Sequence, residues 1–133
     1  MPVRTKRAYE PASPDDGKRY LVDRLWPRGV SADRLHLTAW RKELAPSDVL
    51  RRWYGHLPDR FPEFRRRYRE ELLARPEFVS SLREEARRAT VTLVFGARDP
   101  ARSNAAVLAE LVAEPAKIEP APTRPADGRR GRG

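Results

Sequence analysis

Thr90-Val91-Thr92-Leu93-Val94-Phe95-Gly96-Ala97-Arg98-Asp99-Pro100 reads as a central β-strand that breaks at a glycine and hands the chain to a helix. Its β-branched and apolar run suits a strand covered on both faces. Asp99 followed by Pro100 supplies an N-cap and a proline at the first helical position, so the last helix is predicted to open there. Val107, Leu108, Leu111 and Val112 form its core face. A buried strand leading into a helix is the unit of a parallel α/β sheet, and the rest of the chain is read outward from it.

Toward the N-terminus, Val3-Arg4-Thr5-Lys6-Arg7-Ala8-Tyr9 alternates and predicts a strand. Pro11-Ala12-Ser13-Pro14-Asp15-Asp16-Gly17 is turn chemistry, ending in a glycine suited to positive φ. Tyr20-Leu21-Val22-Asp23-Arg24-Leu25-Trp26 predicts a buried strand finishing at Pro27-Arg28-Gly29. Leu35-His36-Leu37-Thr38-Ala39-Trp40 reads as a third extended segment. Ser47 is an N-cap ahead of Val49, Leu50 and Trp53 at helical spacing. The longest helix is predicted from about Asp59 to Ala74, with Phe61, Phe64, Tyr68 and Leu72 as its apolar stripe. Another follows Pro76, with Phe78, Leu82 and Ala86 inward. The expected fold is a small single α/β domain with a mostly parallel central sheet of about four strands, flanked by four or five helices. It spans residues 1–114. Residues 115–133, rich in Pro, Ala, Gly and Arg without periodicity, read as a disordered basic tail.

The net charge is +9, of which residues 1–114 carry 23 Lys and Arg against 17 Asp and Glu, leaving +3 on the tail. Basic balance favours polyanions, but Arg65-Arg66-Arg67 sits among favourable i,i+4 glutamates and reads as a solvated helix face. Zero Cys excludes disulfides, a thiolate nucleophile and Cys-based metal sites. The start lacks the apolar stretch of a secretory signal, and no run reaches the ~18 apolar residues of a membrane span. A cytoplasmic location is the expectation that remains.

In open α/β sheets, ligands bind outside the carboxyl ends of the strands. Two such ends carry polar clusters: Asp23 to Gly29 and Gly96 to Asp99. At the second, a strand–Gly–helix turn with Arg98 beside it suits an anion; Asp99 is equally explained as a cap. Asp23 leaves a buried strand and needs a partner. That partner is either Arg28 or Arg98 in an ion pair, or a ligand in a pocket using the same arginines. His56 is a candidate general base, since imidazole titrates near neutrality, or a cation at a helix C-terminus. His36 and His56 lack metal-ligand spacing, so no metal is expected, and no cofactor. The candidate site therefore comprises His56 and Asp23 as acid–base groups, with Arg24, Arg28, Gly29, Arg98, Asp99 and Asn104 around a ligand.

The strings Ser13-Pro14-Asp15-Asp16-Gly17, Leu21 to Val30 (with Asp-Arg-Leu-Trp-Pro-Arg-Gly inside), Trp40 with Lys42 to Ser47, Leu50 to His56, Phe64 to Tyr68, and Thr92 to Asp99 are similar to those of the YeaO-like proteins, domain of unknown function 488. The resemblance covers residue 3 to about 113. It implies a small α/β fold and a cytoplasmic location, with no established activity, substrate or cofactor. It also implies a His-Asn pair opening the last helix, where this chain has Ser103-Asn104. Serine hydrogen-bonds but does not titrate near neutral pH, which stands against borrowing a His-dependent reaction.

Three functions are weighed: a pocket for a small phosphate- or carboxylate-bearing ligand, nucleic-acid binding through the Arg-rich helix and tail, and a protein-interaction module anchored by Trp26, Trp40 or Trp53. The first leads. A monomer or weak homo-oligomer is expected, away from membranes.

Overall fold

In the computed structural model, residues 3–114 are described; the tail expected over 115–133 lies outside the described residues. Four strands, β1 (Val3–Arg7), β2 (Lys18–Leu21), β3 (Ala39–Trp40) and β4 (Val91–Phe95), form one all-parallel sheet in the order β1-β4-β2-β3. The helices are α1 (Ala32–Leu35), α2 (Asp48–Tyr54), α3 (Phe61–Leu73), α4 (Pro76–Arg88) and α5 (Asn104–Ala113). The chain is a small α/β domain.

The centre of the sheet is β4, buried along its whole length between β1 and β2. Strand alternation divides it between two unequal layers. Val91, Leu93 and Phe95 join the large core beneath the helices, with Phe64, Tyr68 and Leu72 of α3, Val79, Leu82 and Ala86 of α4, and Val107, Leu108, Leu111 and Val112 of α5. Val94 faces a thin layer of Ala8, Leu21, Val30 and Leu35, closed by Leu37 and Trp40.

Several boundaries differ from the expected ones. The third extended segment shrinks to Ala39–Trp40, because the Ser31 side chain accepts from the Arg34 N–H and caps a one-turn helix that ends in His36 at φ 47°. The last helix does not open at Asp99-Pro100. Asp99 caps only a 3₁₀ turn over Pro100–Arg102, and α5 begins at Asn104 behind the Ser103 cap. Among inward residues of α4, Phe78 is half-buried.

The loop before β2 is fixed by a buried ion cluster. Asp16 is fully buried and accepts from Lys6 Nζ at 3.1 Å, Arg19 Nη1 at 2.7 Å and the Ser13 N–H at 3.0 Å. Gly17 follows at φ 64°. Here the carbonyl of Asp16 accepts from Thr92 Oγ1 at 2.7 Å, pinning the loop to the central strand.

Candidate functional site

Two connected chambers open at the carboxyl ends of β1, β4 and β2. An outer cleft of about 720 Å³ runs along Arg7, Tyr9, Gly96, Ala97, Arg98 and Asp99. An inner one of about 140 Å³ is lined by Asp23, Arg24, Phe64, Ser103 and Asn104 among others. Tyr54, His56, Ala97 and Arg102 border both.

The inner chamber exists because the ladder between β2 and β4 is broken at its end. The Val22 N–H donates to the Val94 carbonyl at 3.0 Å. A continuing parallel ladder would next join the Gly96 N–H to the Val22 carbonyl. Instead, Gly96 N–H donates to Asp23 Oδ2 at 2.8 Å, and the Val22 carbonyl accepts from Asn104 Nδ2 at 2.9 Å. Two side chains thus fill the gap between parting strands. Trp40 Nε1 donates to the Asp23 main-chain carbonyl at 2.7 Å, so the residue is held through its backbone as well as through its carboxylate. This also explains why β2 ends at Leu21 and does not run to Trp26.

An ion pair of Asp23 with Arg28 or Arg98, one of the two alternatives read from the sequence, is absent among the described residues; the Gly96 amide donates to the carboxylate instead. Burial raises the Asp23 carboxyl above its ordinary range, against the pull of the Gly96 N–H, the Asn104 side chain and the His56 charge. A raised acid carries the sign opposite to a salt-bridged one. Folding disfavours its ionised form, so stability falls as pH rises from the unfolded-state value, ~3.9, to the raised folded one. Asp23→Asn is therefore expected to gain stability relative to the wild type above that window, and the gain should vanish at low pH. Urea unfolding of both proteins across pH 3–8 reads this; parallel curves would refute it.

Of the other residues named from sequence, Arg24, Arg98, Asp99, Asn104 and His56 line the chambers. Arg28 and Gly29 do not. Arg28 is exposed, and its carbonyl accepts from Tyr9 Oη at 3.1 Å. Arg24 Nε donates to the Pro46 carbonyl at 3.1 Å. Asp99 accepts from the Ala101 N–H at 3.0 Å and from Arg102 at 2.8 Å, and Arg102 holds its carboxyl below the usual range. The cap of α2 is Gly55, not His56; Gly55 lies in the left-handed conformation and donates to the Arg51 carbonyl. His56 follows at φ 58°, exposed, with its ring 5.9 Å from that of Tyr54.

Four contributors were not singled out from sequence. Arg7, at the end of β1, donates to the Ala97 carbonyl at 2.8 Å and lies over the Tyr9 ring. Tyr54 donates to the Arg102 carbonyl at 2.7 Å and stacks on Phe64 with centroids 4.2 Å apart. Arg51 and Arg102 complete the basic lining. Ser103 is buried, donates to the Pro100 carbonyl and accepts from the Ala106 N–H; its role is to cap α5.

Elsewhere the arginines of α3 are paired internally: Arg65 with Glu110, Arg66 with Glu63 and Glu70, Arg67 with Glu63, and Arg69 with Glu114. Trp26 meets Trp40 edge-on at 5.4 Å, and Trp53 lies under Arg60 and Arg67. Among the described residues, no helix is long and apolar enough to cross a membrane.

The family model described as the inactive DUF488-N3 subclade matches residues 2–128. The uncharacterized protein Rv3073c of Mycobacterium tuberculosis is 49% identical over 110 residues, covering 83% of this chain and 92% of the relative. The uncharacterized protein YeaO of Escherichia coli is 39% identical over 111 residues, covering 83% of this chain and 96% of the relative. No solved structure matches. A family match over nearly the whole chain, joined by a YeaO relative of almost the same extent, means that this chain belongs to the YeaO-like DUF488 family, in its inactive DUF488-N3 subclade.

Proposed function

We propose that the two-chambered cleft binds a small anionic ligand bearing phosphate or carboxylate. The observation that carries this reading is the charge of the walls. Arg7, Arg24, Arg51, Arg98 and Arg102 line the two chambers, against Asp23 and Asp99 as their acidic groups. Asp99 is already engaged by Arg102. Arg98 makes no ion pair or hydrogen bond among the described residues, so its planar fork is free for an oxyanion. The amino end of α5 opens on the inner chamber at Ser103 and Asn104, adding the positive end of a helix dipole.

The reading is of binding. A subclade described as inactive supports that emphasis. So does Ser103, a buried cap with no titration near neutral pH. Asp23 and His56 are the acid–base groups on which any turnover would draw.

Calorimetry with inorganic phosphate at low ionic strength tests the reading. The wild type should bind at millimolar concentration or better. Arg98→Ala should weaken binding roughly tenfold, the worth of one charge-assisted hydrogen bond. Arg28→Ala, outside both chambers, should bind as the wild type does. Equal binding by Arg98→Ala and the wild type, or no binding at all, would overturn it.

A further inference from the structure

The outer and inner chambers differ in kind. The outer cleft is wide and edged by Arg7, Arg98 and Arg102. The inner one is small, and its lining includes a carboxylate, a carboxamide and the stacked rings of Tyr54 and Phe64. Its arginines are already engaged, Arg24 by the Pro46 carbonyl, Arg51 by Asp48 and Arg102 by Asp99. A cavity of about 150 Å³ admits benzene, so the inner volume of about 140 Å³ suits a group of one ring. Asp23 spends Oδ2 on the Gly96 amide, and no Lys or Arg among the described residues pairs with its carboxylate. The Asn104 side chain also pulls on it, but a carboxylate has about four acceptor positions, so it can still take donors from a group that enters. Asn104 lines the same chamber with Nδ2 on the Val22 carbonyl, and its carboxamide oxygen can only accept. Two acceptors beside an aromatic wall match a saturated ring whose hydroxyls point one way and whose C–H groups point the other. The chambers share Tyr54, His56, Ala97 and Arg102 as walls, so the anionic group and the ring must be close neighbours within one molecule. A nucleobase, held a whole sugar away from its phosphate, fits that spacing less well.

Building on the anion-binding reading, we infer that the ligand is a phosphorylated sugar, its phosphate among Arg7, Arg98 and Arg102 and its hydroxylated ring against Asp23 and Asn104. The ring supplies the selectivity, and the phosphate supplies a large share of the affinity.

Calorimetry with four probes separates this from the broader reading: inorganic phosphate, glycerol 3-phosphate, D-ribose 5-phosphate and uridine 5′-monophosphate. D-Ribose 5-phosphate should bind at least tenfold tighter than inorganic phosphate and glycerol 3-phosphate, and tighter than the nucleotide. Asp23→Asn, shown folded by its thermal transition, should lose most of the ring-dependent gain, read as the ratio of D-ribose 5-phosphate to inorganic phosphate affinity within the same variant. Arg98→Ala should weaken all four alike. Equal affinity for all four probes overturns the sugar inference and leaves anion binding standing, as does tightest binding of the nucleotide. Retention of the tenfold gain in Asp23→Asn also overturns it. Binding of none of the four removes both.

Discussion

Asp16→Asn is expected to cost about 3–5 kcal/mol of stability, the loss that follows when one partner of a buried ion cluster is removed. Asp16 is fully buried and holds Lys6 on β1, Arg19 on β2 and the Ser13 amide of the intervening loop. Lys6 and Arg19 are themselves largely buried, with side-chain exposures of 18% and 4%. Arg19 Nη2 already lacks a hydrogen-bond partner, so little slack is left to absorb a lost charge. An amide would leave two cations facing each other without a counterion. Domains of this kind have totals of about 5–15 kcal/mol, so the variant should unfold at much lower urea concentration. A loss below about 1 kcal/mol would mean that the cluster is neutral to stability.

The same carboxylate sets an acid limb. Burial alone would raise Asp16, but the Ser13 N–H, Lys6 and Arg19 outweigh it and hold the carboxyl below its ordinary value. For a depressed acid, the stabilisation is complete above the unfolded-state value of ~3.9 and is lost as pH falls through the lower folded one. Asp16→Asn should therefore be weakened most at neutral pH and should converge on the wild type in strong acid. Asp23 slopes the other way.

Gly17→Ala is the second large expected effect, about 3 kcal/mol or more, from backbone strain and overlap together. At φ 64° and ψ −133°, the residue occupies a region that side chains avoid. A Cβ there would lie 2.1 Å from the Thr90 carbonyl oxygen and 2.8 Å from its carbon. That carbonyl accepts the Lys18 N–H at 3.0 Å, the first bond between β2 and β4. Either the loop or the start of the strand must move. Urea midpoints measure the cost, and a change under about 1 kcal/mol would show that the loop yields easily.

How far the sequence disclosed this protein depended on the range of the forces involved. The strand β4, the Ser47 cap of α2, and helices α3 and α4 were legible because each writes its own period or cap into contiguous residues. Gly17 was legible for the same reason, its turn chemistry being local. The helix α1 has four residues, too few for a period, and its end at Leu35 and His36 reads as the start of the extended segment over Leu35 to Trp40. The end of β2 was hidden for another reason: Gly96 reaches Asp23 across 73 positions, and Asn104 reaches Val22 across 82. Asp23 stood out as a charge leaving a buried strand, but the amide that satisfies it carries no side-chain signal. Arg28 looked equivalent to Arg98 because both follow a strand beside a glycine. Only the turn after Pro27 carries Arg28 away to the surface. Arg7, Arg51 and Arg102 were three among many arginines until the fold gathered them.

The broken end of the ladder has a consequence for how the domain comes apart. Where Asp23 and Asn104 substitute for main-chain bonds, the end of β2 is tied to the end of β4 by a carboxylate and to α5 by a carboxamide, groups whose grip depends on charge and on rotamer. Protonating Asp23, or drawing its carboxylate toward a guest, loosens the rung to Gly96 without touching the rungs below it. The sheet is thus a zip whose final tooth is a side chain, and occupancy of the chamber becomes audible in the backbone as the exchange rate of a single glycine amide.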